Sequence, residues 1–515
     1  MLKVGGLSLC ALLAMAISAC GSAEVPAPEP HLREASGKIV DFIQGMDELG
    51  PGYGFILVTA DQVITNHVQG QRNAATGAPL TRDTPMYIAS QTKSYLGLLA
   101  SILHEEGVLS LDDALSEYWP TSQPLPPTVD LEQLTLRDLL THQFPIRAPL
   151  VNIIEANVTR IHPEDFPRLI REHGTERDPG FRYDNIGYNL YGAILEQETG
   201  RPWQDWLKEK VFDPLQLSHT SARTSDFDPG ELGWQHIWLG PEDGYHAVPP
   251  KTDDVMQSAG GIVTSTTDMA RFLQTYLRQA GPDGSAITRD IIERHTVGLV
   301  ASGYDDQPYM AELGCSHYTL GWNICDYDGN TVYAHGGSYV GMRSTMLFSH
   351  DLGIGAAVFS NSSNQTGWIN GHILNLLLQY VSGEPDADAN AVKYHNEFSS
   401  FVAEEILLEI EVETARQNDD AWGGWSWSPT AQELQQYLGV WTTGEVYLDL
   451  NVEADENGNL VVKWYDYKMP LKPAREDVFA GRQHPFESFE TFKFQRDERG
   501  LVQSLDWGGD IYVRP

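Results

Sequence analysis

Basic residues and cysteines are scarce in this chain. The 515 residues contain 34 lysines and arginines against 71 aspartates and glutamates, and the formal net charge is −37. So acidic a surface repels nucleic-acid phosphates and anionic lipid headgroups, which argues against both as partners. The chain has four cysteines, and the last two, Cys315 and Cys325, are not spaced as metal ligands and have no histidine pair nearby at ligand spacing. No metal or organic cofactor is therefore expected.

The sequence also lacks the Gly-x-Ser-x-Gly pentapeptide. That pentapeptide places the nucleophile of α/β-hydrolases on a sharp turn between a strand and a helix. Its absence argues against an α/β-hydrolase. Composition is otherwise ordinary for a globular protein, and the length allows two or three domains.

The start of the chain carries a secretory pattern. A positive start is followed by an apolar run over residues 7–17 and by small residues that end in a cysteine, which predicts a signal peptide over residues 1–19. The ending resembles a bacterial lipobox, which implies that Cys20 becomes a lipid-modified first residue. A plain signal peptide with an incidental cysteine is the alternative. Gly21 then implies sorting to the outer membrane. We expect an exported lipoprotein of the cell envelope that touches the membrane through its lipid anchor only.

Ser90 lies where a helix is predicted to begin. Extended, β-rich sequence precedes it, and a helical pattern follows and ends at Gly107. Lys93 stands three positions later, on the same helix face. An amine beside a hydroxyl suits a serine nucleophile, and burial together with the helix N-terminus should lower the pKa of Lys93 so that it accepts the serine proton. Taken alone, the pattern also fits an ordinary helix start with an exposed lysine.

Other stretches with functional side chains are spread along the chain. Tyr183-Asp184-Asn185 forms a turn before a predicted helix, and a Gly-rich loop at residues 258–261 precedes another. Residues 333–338 lie at a predicted strand edge. The segment 135–142 reads as a capped helix start, and we interpret His142 at its end as a residue that orders a loop rather than a catalytic one.

Composition and periodicity divide the chain. After the signal peptide, residues 20–34 are predicted to form a tether and residues 35–381 the main domain. Residues 382–429 are predicted to form a helical linker, with an acidic helix around residues 398–415. Residues 430–515 show the period-two alternation of an antiparallel β domain of about six to eight strands.

Three of these stretches, in this order, resemble the motifs of serine β-lactamases and penicillin-binding-protein-type hydrolases, and in particular the class C branch with its D-peptidases and carboxylesterases. Ser90-x-x-Lys93 is similar to the first motif and Tyr183-x-Asn185 to the second. His335-Gly336-Gly337 stands where class C β-lactamases have Lys-Thr-Gly. The resemblance covers roughly residues 35–380 and implies an α+β fold, in which helices flank an antiparallel sheet beside an all-helical subdomain. Residues 430–515 resemble the lipocalin-like β-barrel attached to many such hydrolases.

The resemblance also implies roles. Ser90 is the expected nucleophile and Lys93 its proton acceptor. Tyr183 is expected as a base or relay, because the neighbouring ammonium should favour its phenolate. Asn185 would hold Lys93 or the substrate amide. The backbone N–H groups of Ser90 and Ser338 are expected to form the oxyanion hole.

His335 is the main departure from the family pattern. With Gly336, Gly337 and Ser338, it is expected to bind substrate. A histidine here removes a permanent cation that would meet a substrate carboxylate, although it can still be charged below roughly pH 6.5. Penicillins and cell-wall peptides carry such a carboxylate, so uncharged esters, amides or D-amino-acid peptides are favoured.

The expected function is therefore that of a serine hydrolase that forms an acyl-enzyme on ester or amide bonds of a small-molecule or peptide substrate. A β-lactamase or D-Ala-D-Ala carboxypeptidase is one alternative, and a non-catalytic penicillin-binding-like lipoprotein is another. The C-terminal barrel is expected to be structural, unless its loops cover the mouth of the site.

Cys315 and Cys325 lie ten positions apart, just before the third motif. Since an exported chain reaches an oxidising compartment, a disulfide between them is expected. Two buried free thiols are the alternative.

Overall fold

The computed structural model describes residues 30–515 except 47–48, 304–312, 364–365, 367, 418–419 and 484–487. The predicted signal peptide, Cys20 and the first part of the tether lie outside the described residues. Within the described ranges, no helix combines the length and the apolar character needed to cross a membrane.

The helices follow the predicted order along the chain. Their bounds are α1 Pro30–Gln44, α2 Thr92–Glu105, α3 Leu136–Leu140, α4 Pro149–Ile153, α5 Phe166–His173, α6 Ile186–Thr199, α7 Trp203–Leu207, α8 Thr266–Arg278, α9 Arg289–Thr296, α10 Ile369–Ser382, α11 Ala387–Phe401, α12 Leu407–Gln417 and α13 Ala431–Leu434.

The strands fall into two large sheets and three short pairs. Their bounds are β1 Gly52–Val58, β2 Val63–Asn73, β3 Ala78–Pro79, β4 Met86–Tyr87, β5 Ile146–Arg147, β6 Thr175–Glu176, β7 Gln235–Trp238, β8 Tyr245–Val248, β9 Val263–Thr264, β10 Val300–Ala301, β11 Cys315–Tyr318, β12 Asn323–Tyr327, β13 Asn330–Tyr339, β14 Met342–Ser349, β15 Ile354–Ser360, β16 Gly439–Trp441, β17 Leu450–Ala454, β18 Leu460–Trp464, β19 Tyr467–Arg475, β20 Val478–Gly481, β21 Glu490–Arg496, β22 Val502–Trp507 and β23 Asp510–Val513.

The first large sheet has nine strands in the order β10-β11-β12-β13-β14-β15-β1-β2-β3. Its neighbours pair antiparallel, and the early strand β1 pairs with the late strand β15. All seven residues of β1 are buried, because apolar helices cover both faces of the sheet. Residues of α1 and α10 pack in the core on one face, and residues of α2 and α8 pack in the core on the other.

The chain between α2 and α8 contains the helices α3 to α7 together with the short strand pairs β5–β6 and β7–β8. This helical part packs against α2 and contributes to the same core. The predicted α+β architecture, an antiparallel sheet flanked by helices beside a helical subdomain, is confirmed.

The second large sheet forms the C-terminal part of the chain. Each of the eight strands β16 to β23 pairs with the next, and Thr442 makes an antiparallel bridge to Val513. The two ends of the sheet therefore meet, which gives a nearly closed barrel. Its interior is filled by residues such as Trp441, Phe479 and Phe494. The predicted C-terminal antiparallel β-barrel is confirmed, whereas the exact domain boundaries stay predictions.

One predicted element differs from the observed one. The helical part of the linker begins at Ala387, not near Phe398, because Tyr394 and Phe398 lie four residues apart and both are buried in the core that contains α10. Strand β2 extends from Val63 to Asn73. Most of its side chains are polar and half-exposed, so the alternation that signals a strand is weak there.

Candidate active site

Ser90 lies on the tight turn Ala89–Gln91 that leads into α2. Ala89 has a φ of +45°, a left-handed conformation that costs a residue with a β-carbon of order 1 kcal/mol or more. The surrounding core holds this conformation because Ala89 is fully buried. Ser90 itself keeps a partly exposed side chain. The turn therefore presents the hydroxyl at the surface of a rigid, buried element.

Lys93 is fully buried behind Ser90. Its Nζ donates to three acceptors, namely Ser90 Oγ at 3.2 Å, Asn185 Oδ1 at 2.8 Å and the Ala259 carbonyl at 2.8 Å. These three match the three hydrogens of an ammonium, and none of the acceptors is a carboxylate. The structure thus brings the first motif, the second motif and the Gly-rich loop together on one amine.

Burial lowers the pKa of Lys93 to about 7, and the negative charge of Asp184 opposes this shift only in part. The direction agrees with the prediction. A lysine with this pKa is neutral in a large fraction of molecules at neutral pH, so its nitrogen can accept a proton from Ser90.

Tyr183 also lies at the nucleophile. Its ring centroid is 4.9 Å from Lys93 Nζ. Burial raises the pKa of Tyr183, a hydrogen bond with Ser90 lowers it, and the charge of Asp184 raises it further; the net shift is upward. The expected phenolate is therefore wrong, because desolvation by burial is the largest influence on this phenol. Tyr183 remains a phenol, which can donate and relay a proton.

His142 orders the loop that carries the second motif. Its Nδ1 accepts a hydrogen bond from the backbone N–H of Asp184 at 3.1 Å, and its carbonyl accepts one from Arg182 N at 3.0 Å. Asp184 Oδ1 in turn accepts bonds from Asn152 Nδ2 at 2.6 Å and from the backbone N–H of Ile186 at 3.0 Å. Burial lowers the pKa of His142 well below its usual value. A neutral, buried histidine with these bonds fits the interpretation as a loop-ordering residue.

The third motif lies on β13, which passes directly beside the segment that precedes Ser90. A β-carbon on Gly337 would come within 2.0 Å of the Ile88 carbonyl oxygen, so only glycine fits there. Ser344 on the neighbouring strand donates to the same carbonyl at 3.3 Å. This close approach holds the motif next to the nucleophile.

His335 is buried and forms two hydrogen bonds. Its Nδ1 lies 2.7 Å from the Gly336 carbonyl, and its Nε2 lies 3.2 Å from the hydroxyl of Tyr318. Burial, together with repulsion by Lys93, lowers the pKa of His335 to about 3. The expectation that His335 becomes charged below roughly pH 6.5 is therefore wrong, because its site excludes water and already holds one amine.

Ser338 follows with an exposed side chain. It lies directly opposite Arg343 in the pairing of β13 with β14. The oxyanion hole formed by the N–H groups of Ser90 and Ser338 stays a prediction.

Two contributions were not found by sequence reasoning. The Ala259 carbonyl belongs to a Gly-rich loop that the sequence singles out, although not as a partner of Lys93. Tyr318 lies at the end of β11 without a motif, and only the pairing of β11, β12 and β13 brings it to His335.

The structure joins Cys315 and Cys325 in a disulfide with an S–S distance of 2.02 Å. These residues are direct partners in the pairing of β11 with β12, so the bond ties together two strands of the sheet near the third motif. Over the described ranges, no group of three or more histidine, cysteine, aspartate or glutamate side chains could hold a metal ion.

Comparison with known proteins agrees with this geometry. Among curated proteins, the chain is 23% identical over 320 residues to protein flp of Staphylococcus aureus strain MW2, an alignment that covers 61% of this chain and 60% of that protein. The chain thus spans about 60% of the length of this relative.

Two solved structures share the fold. The octameric penicillin-binding protein homologue from Pyrococcus abyssi has a TM-score of 0.58 and 21% identity, and the match covers 93% of this chain and all of that one. The D-amino acid amidase from Ochrobactrum anthropi SV3, complexed with L-phenylalanine amide, has a TM-score of 0.55 and 21% identity, with 70% of this chain and 99% of that one covered.

A protein-family model described as "Beta-lactamase" matches residues 41–374, which is more than half of the chain and includes all three motifs. The chain belongs to the beta-lactamase family.

Proposed function

We propose that this protein is a serine hydrolase that forms an acyl-enzyme at Ser90 and cleaves ester or amide bonds. The observation that carries the proposal is the pair formed by Ser90 and Lys93, with Nζ 3.2 Å from Oγ and a lysine pKa of about 7. A neutral amine at this distance is a general base for the serine hydroxyl.

The reaction follows from the contacts. Lys93 accepts the hydroxyl proton as Ser90 Oγ attacks the substrate carbonyl carbon, and the carbonyl oxygen becomes an oxyanion held by the N–H groups of Ser90 and Ser338. Tyr183, hydrogen-bonded to Ser90, passes a proton to the leaving alcohol or amine as its bond to carbon breaks, and regains one from Lys93. A water molecule then attacks the ester at Ser90 by the reverse sequence of proton transfers and releases the acid.

The proposed substrates are esters and amides, including amides of D-amino acids. The neutral His335 supports this choice, because an uncharged ring offers no positive charge to a substrate carboxylate. The likeness to the amidase from Ochrobactrum anthropi supports amides of D-amino acids as well, because that enzyme is named as a D-amino acid amidase.

A second candidate is activity on β-lactams or on peptides that end in D-Ala-D-Ala. The likeness to a penicillin-binding protein homologue favours this candidate, whereas the neutral third motif argues against it. A protein that only binds such compounds without turnover is the third reading, and the low pKa of Lys93 argues against that one.

A labelling experiment tests the nucleophile. Wild type and the Ser90→Ala variant are treated with a fluorophosphonate probe and with a fluorescent penicillin. The Ser101→Ala variant is a matched control, since its hydroxyl lies in the same helix and donates to the Gly97 carbonyl at 2.9 Å. We expect wild type and Ser101→Ala to be labelled by the fluorophosphonate and Ser90→Ala to stay unlabelled. Equal labelling of all three proteins would contradict the assignment.

A substrate panel then separates the candidates. Short-chain nitrophenyl esters, D-alanine amides and a chromogenic cephalosporin are compared with each protein. Turnover of esters or amides supports the main proposal, rapid turnover of the cephalosporin favours the second candidate, and labelling of Ser90 without turnover of any compound favours a binding protein.

We further propose that the protein is an exported lipoprotein modified at Cys20. Metabolic labelling with a palmitate analogue should mark the wild type in the membrane fraction. The Cys20→Ser variant should be neither labelled nor retained there, and labelling of both proteins would contradict the proposal.

A further inference from the structure

Two asparagines at the start of α6 support the contacts of Lys93. Asn185 and Asn189 are four residues apart, so they lie on the same side of the helix. Asn185 Oδ1 accepts a hydrogen bond from Lys93 Nζ directly. Asn189 is buried, and its Oδ1 accepts a hydrogen bond from the backbone N–H of Ala259 at 2.9 Å. The carbonyl of that same residue, Ala259, is the third acceptor of the amine.

The Gly-rich loop that contains Ala259 is held between α6 and α2. On one side, Ser258 Oγ donates to the Tyr188 carbonyl at 2.9 Å. On the other side, the backbone N–H of Ile262 donates to Thr92 Oγ1 at 3.0 Å. Because Ala259 is itself buried, its N–H would have no partner without the asparagine oxygen, and the loop should shift to find one.

The position of the Ala259 carbonyl decides where the lone pair of Lys93 points. A neutral lysine amine has two hydrogens and one lone pair. The Asn185 oxygen and the Ala259 carbonyl, each 2.8 Å from Nζ, take the two hydrogens, which leaves the lone pair for the hydroxyl of Ser90 at 3.2 Å. If the carbonyl moved away, a hydrogen of the amine could turn towards Ser90, and the amine would be correctly oriented as a base less often.

The same carbonyl also affects the pKa of Lys93. A charged amine gains more from an acceptor than a neutral amine does, so each acceptor raises the pKa. Loss of one acceptor should therefore lower the pKa of Lys93 below its wild-type value of about 7. A hydrogen bond to a charged group corresponds to a shift of about one pH unit.

Titratable side chains face Lys93 from the turn before α6, from α6 itself, from the segment after α3 and from β13. They are Asp184, Tyr183, Tyr188, His142 and His335. Burial lowers the pKa of both histidines well below 7 and raises that of Tyr183. The increase of the acylation rate between pH 5 and pH 9 should therefore report the deprotonation of Lys93.

We infer that Asn189 is a positioning residue for acylation, which acts through the Gly-rich loop to aim the lone pair of Lys93 at Ser90. The inference rests on the proposed function and deepens it, because it assigns a part in the first proton transfer to a side chain outside the three motifs.

The rate at which a fluorophosphonate probe labels Ser90, measured from pH 5 to pH 9, tests the inference. Asn189→Leu removes the acceptor and keeps a side chain of similar size; Asn189→Ala makes the same test if the leucine variant does not fold. We expect the plateau rate to fall at least about tenfold and the midpoint of the pH dependence to move down by about one unit.

Asn189→Asp is the conservative variant. It keeps an oxygen that can accept from the Ala259 N–H, and an ionised carboxylate would stabilise the ammonium of Lys93. We therefore expect its midpoint to lie at or above that of wild type, opposite in direction to the leucine variant.

The control is a buried asparagine on the opposite face of the large sheet. Asn375 on α10 is buried, and its Nδ2 donates to Tyr394 Oη at 3.3 Å. Asn375→Leu should lose stability in thermal unfolding and yet keep the plateau rate and the midpoint of wild type. The same unfolding measurement identifies the folded variants, and only these are compared.

NMR of protein labelled with carbon-13 at the lysine ε-carbons gives a readout that does not depend on activity. The signal of Lys93 is assigned by its loss in Lys93→Met. We expect its titration midpoint near 7 in wild type and about one unit lower in Asn189→Leu.

Three results would each overturn the inference: an unchanged midpoint in Asn189→Leu, an unchanged plateau rate in that variant, or an equal downward shift in Asn189→Asp or Asn375→Leu. If the fluorophosphonate fails to label Ser90 in wild type, the proposed function fails instead. The NMR midpoints then still decide whether Asn189 controls the protonation of Lys93.

Discussion

At the residue scale, the burial that suits Lys93 to its proposed role as a base also makes it costly for the fold. The amine is fully buried and has no carboxylate partner among the three acceptors that it contacts. A charged lysine in such a place destabilises the folded state, which is why its pKa falls. Function and stability are therefore in conflict at this one side chain.

This conflict predicts how stability depends on pH. The folded-state pKa of Lys93 is about 7, whereas that of an unfolded lysine is about 10.4. Below pH 7, Lys93 is protonated in both the folded and the unfolded state, so the folded state bears the full cost of the buried charge. Between pH 7 and about 10.4, only the unfolded state binds this proton, so the stability of wild type rises with pH. Lys93→Met lacks this gain. Relative to wild type, the variant should lose a few kcal/mol of unfolding free energy between pH 6 and pH 10, measured by urea unfolding.

The exposed Lys393 on α11 provides the control. Lys393→Met should run parallel to wild type over the same pH range. If Lys93→Met also runs parallel, then the amine is not desolvated and the account of its pKa fails.

Tyr183 leads to a second prediction at this scale. Burial favours its phenol form, so we expect it to relay a proton and not to serve as the base. Tyr183→Phe should lower the acylation rate about 10²-fold. The increase of the rate with pH near 7, which reflects deprotonation of Lys93, should persist in this variant. Stopped-flow measurement of acylation by a nitrophenyl ester from pH 5 to pH 9 checks this. Loss of that rise in the variant would identify the tyrosine as the base.

Spacing alone was enough to predict part of the site, because the contacts of Ser90 with Lys93 follow from the geometry of one helix turn. The pKa direction of Tyr183 could not be predicted, since it depends on how much water the folded site excludes. The partner of His335 could not be predicted either. Tyr318 lies two strands away, and its position follows from the sheet register.

At the scale of elements, the site depends on a strand and a turn that touch. Gly337 on β13 meets the Ile88 carbonyl, which begins the turn of Ser90. The predicted oxyanion hole would need N–H groups from both elements, so the distance between them should decide whether it forms.

Gly337→Ala should therefore impair the site through its backbone. The new β-carbon would lie 2.0 Å from Ile88 O, so β13 must move away from the turn. We expect a lower kcat on nitrophenyl esters, by about 10² if the Ser338 donor is lost, together with reduced stability. Gly336→Ala is the comparison, because among the described residues the nearest atom to its β-carbon would be Ser344 O at 3.8 Å, and its effect should be much smaller. Equal effects of both variants would show that the close approach is unimportant.

Elements with strong local signals were predicted well. The capped start of α3 has the expected box, in which Thr135 Oγ1 accepts from Asp138 N and the aspartate accepts from Thr135 N. Strand β2 carries only a weak sequence signal, because its later residues are polar and half-exposed. The start of α11 was not predicted, because its few apolar residues form a buried helix face only through their packing in the core that contains α10.

At the scale of the whole molecule, several polar contacts link the barrel to the helical subdomain. Tyr447 Oη accepts from the backbone N–H of His162 at 3.0 Å and donates to Asp165 Oδ2 at 2.8 Å. The backbone N–H of Asp466 donates to the Val158 carbonyl at 3.0 Å, and its carboxylate accepts from Thr252 at 2.5 Å. The contacts lie on the loops around α5 and before the Gly-rich loop, so the barrel braces the subdomain that carries the second motif.

These contacts distinguish a bracing role from a direct role in catalysis. Tyr447→Phe leaves the His162 N–H and the Asp165 carboxylate without this partner, which should cost about 1–3 kcal/mol of stability and speed proteolysis between the two parts. Because the tyrosine reaches no residue of the Ser90 site, kcat/KM for a small nitrophenyl ester should stay within about twofold of wild type in the folded variant. Tyr465→Phe, which alters an exposed ring at the neighbouring hairpin tip, should change neither quantity. A loss of esterase activity in Tyr447→Phe without a loss of stability would instead mean that the barrel acts on the chemistry, since a brace can affect turnover only through the fold that it holds.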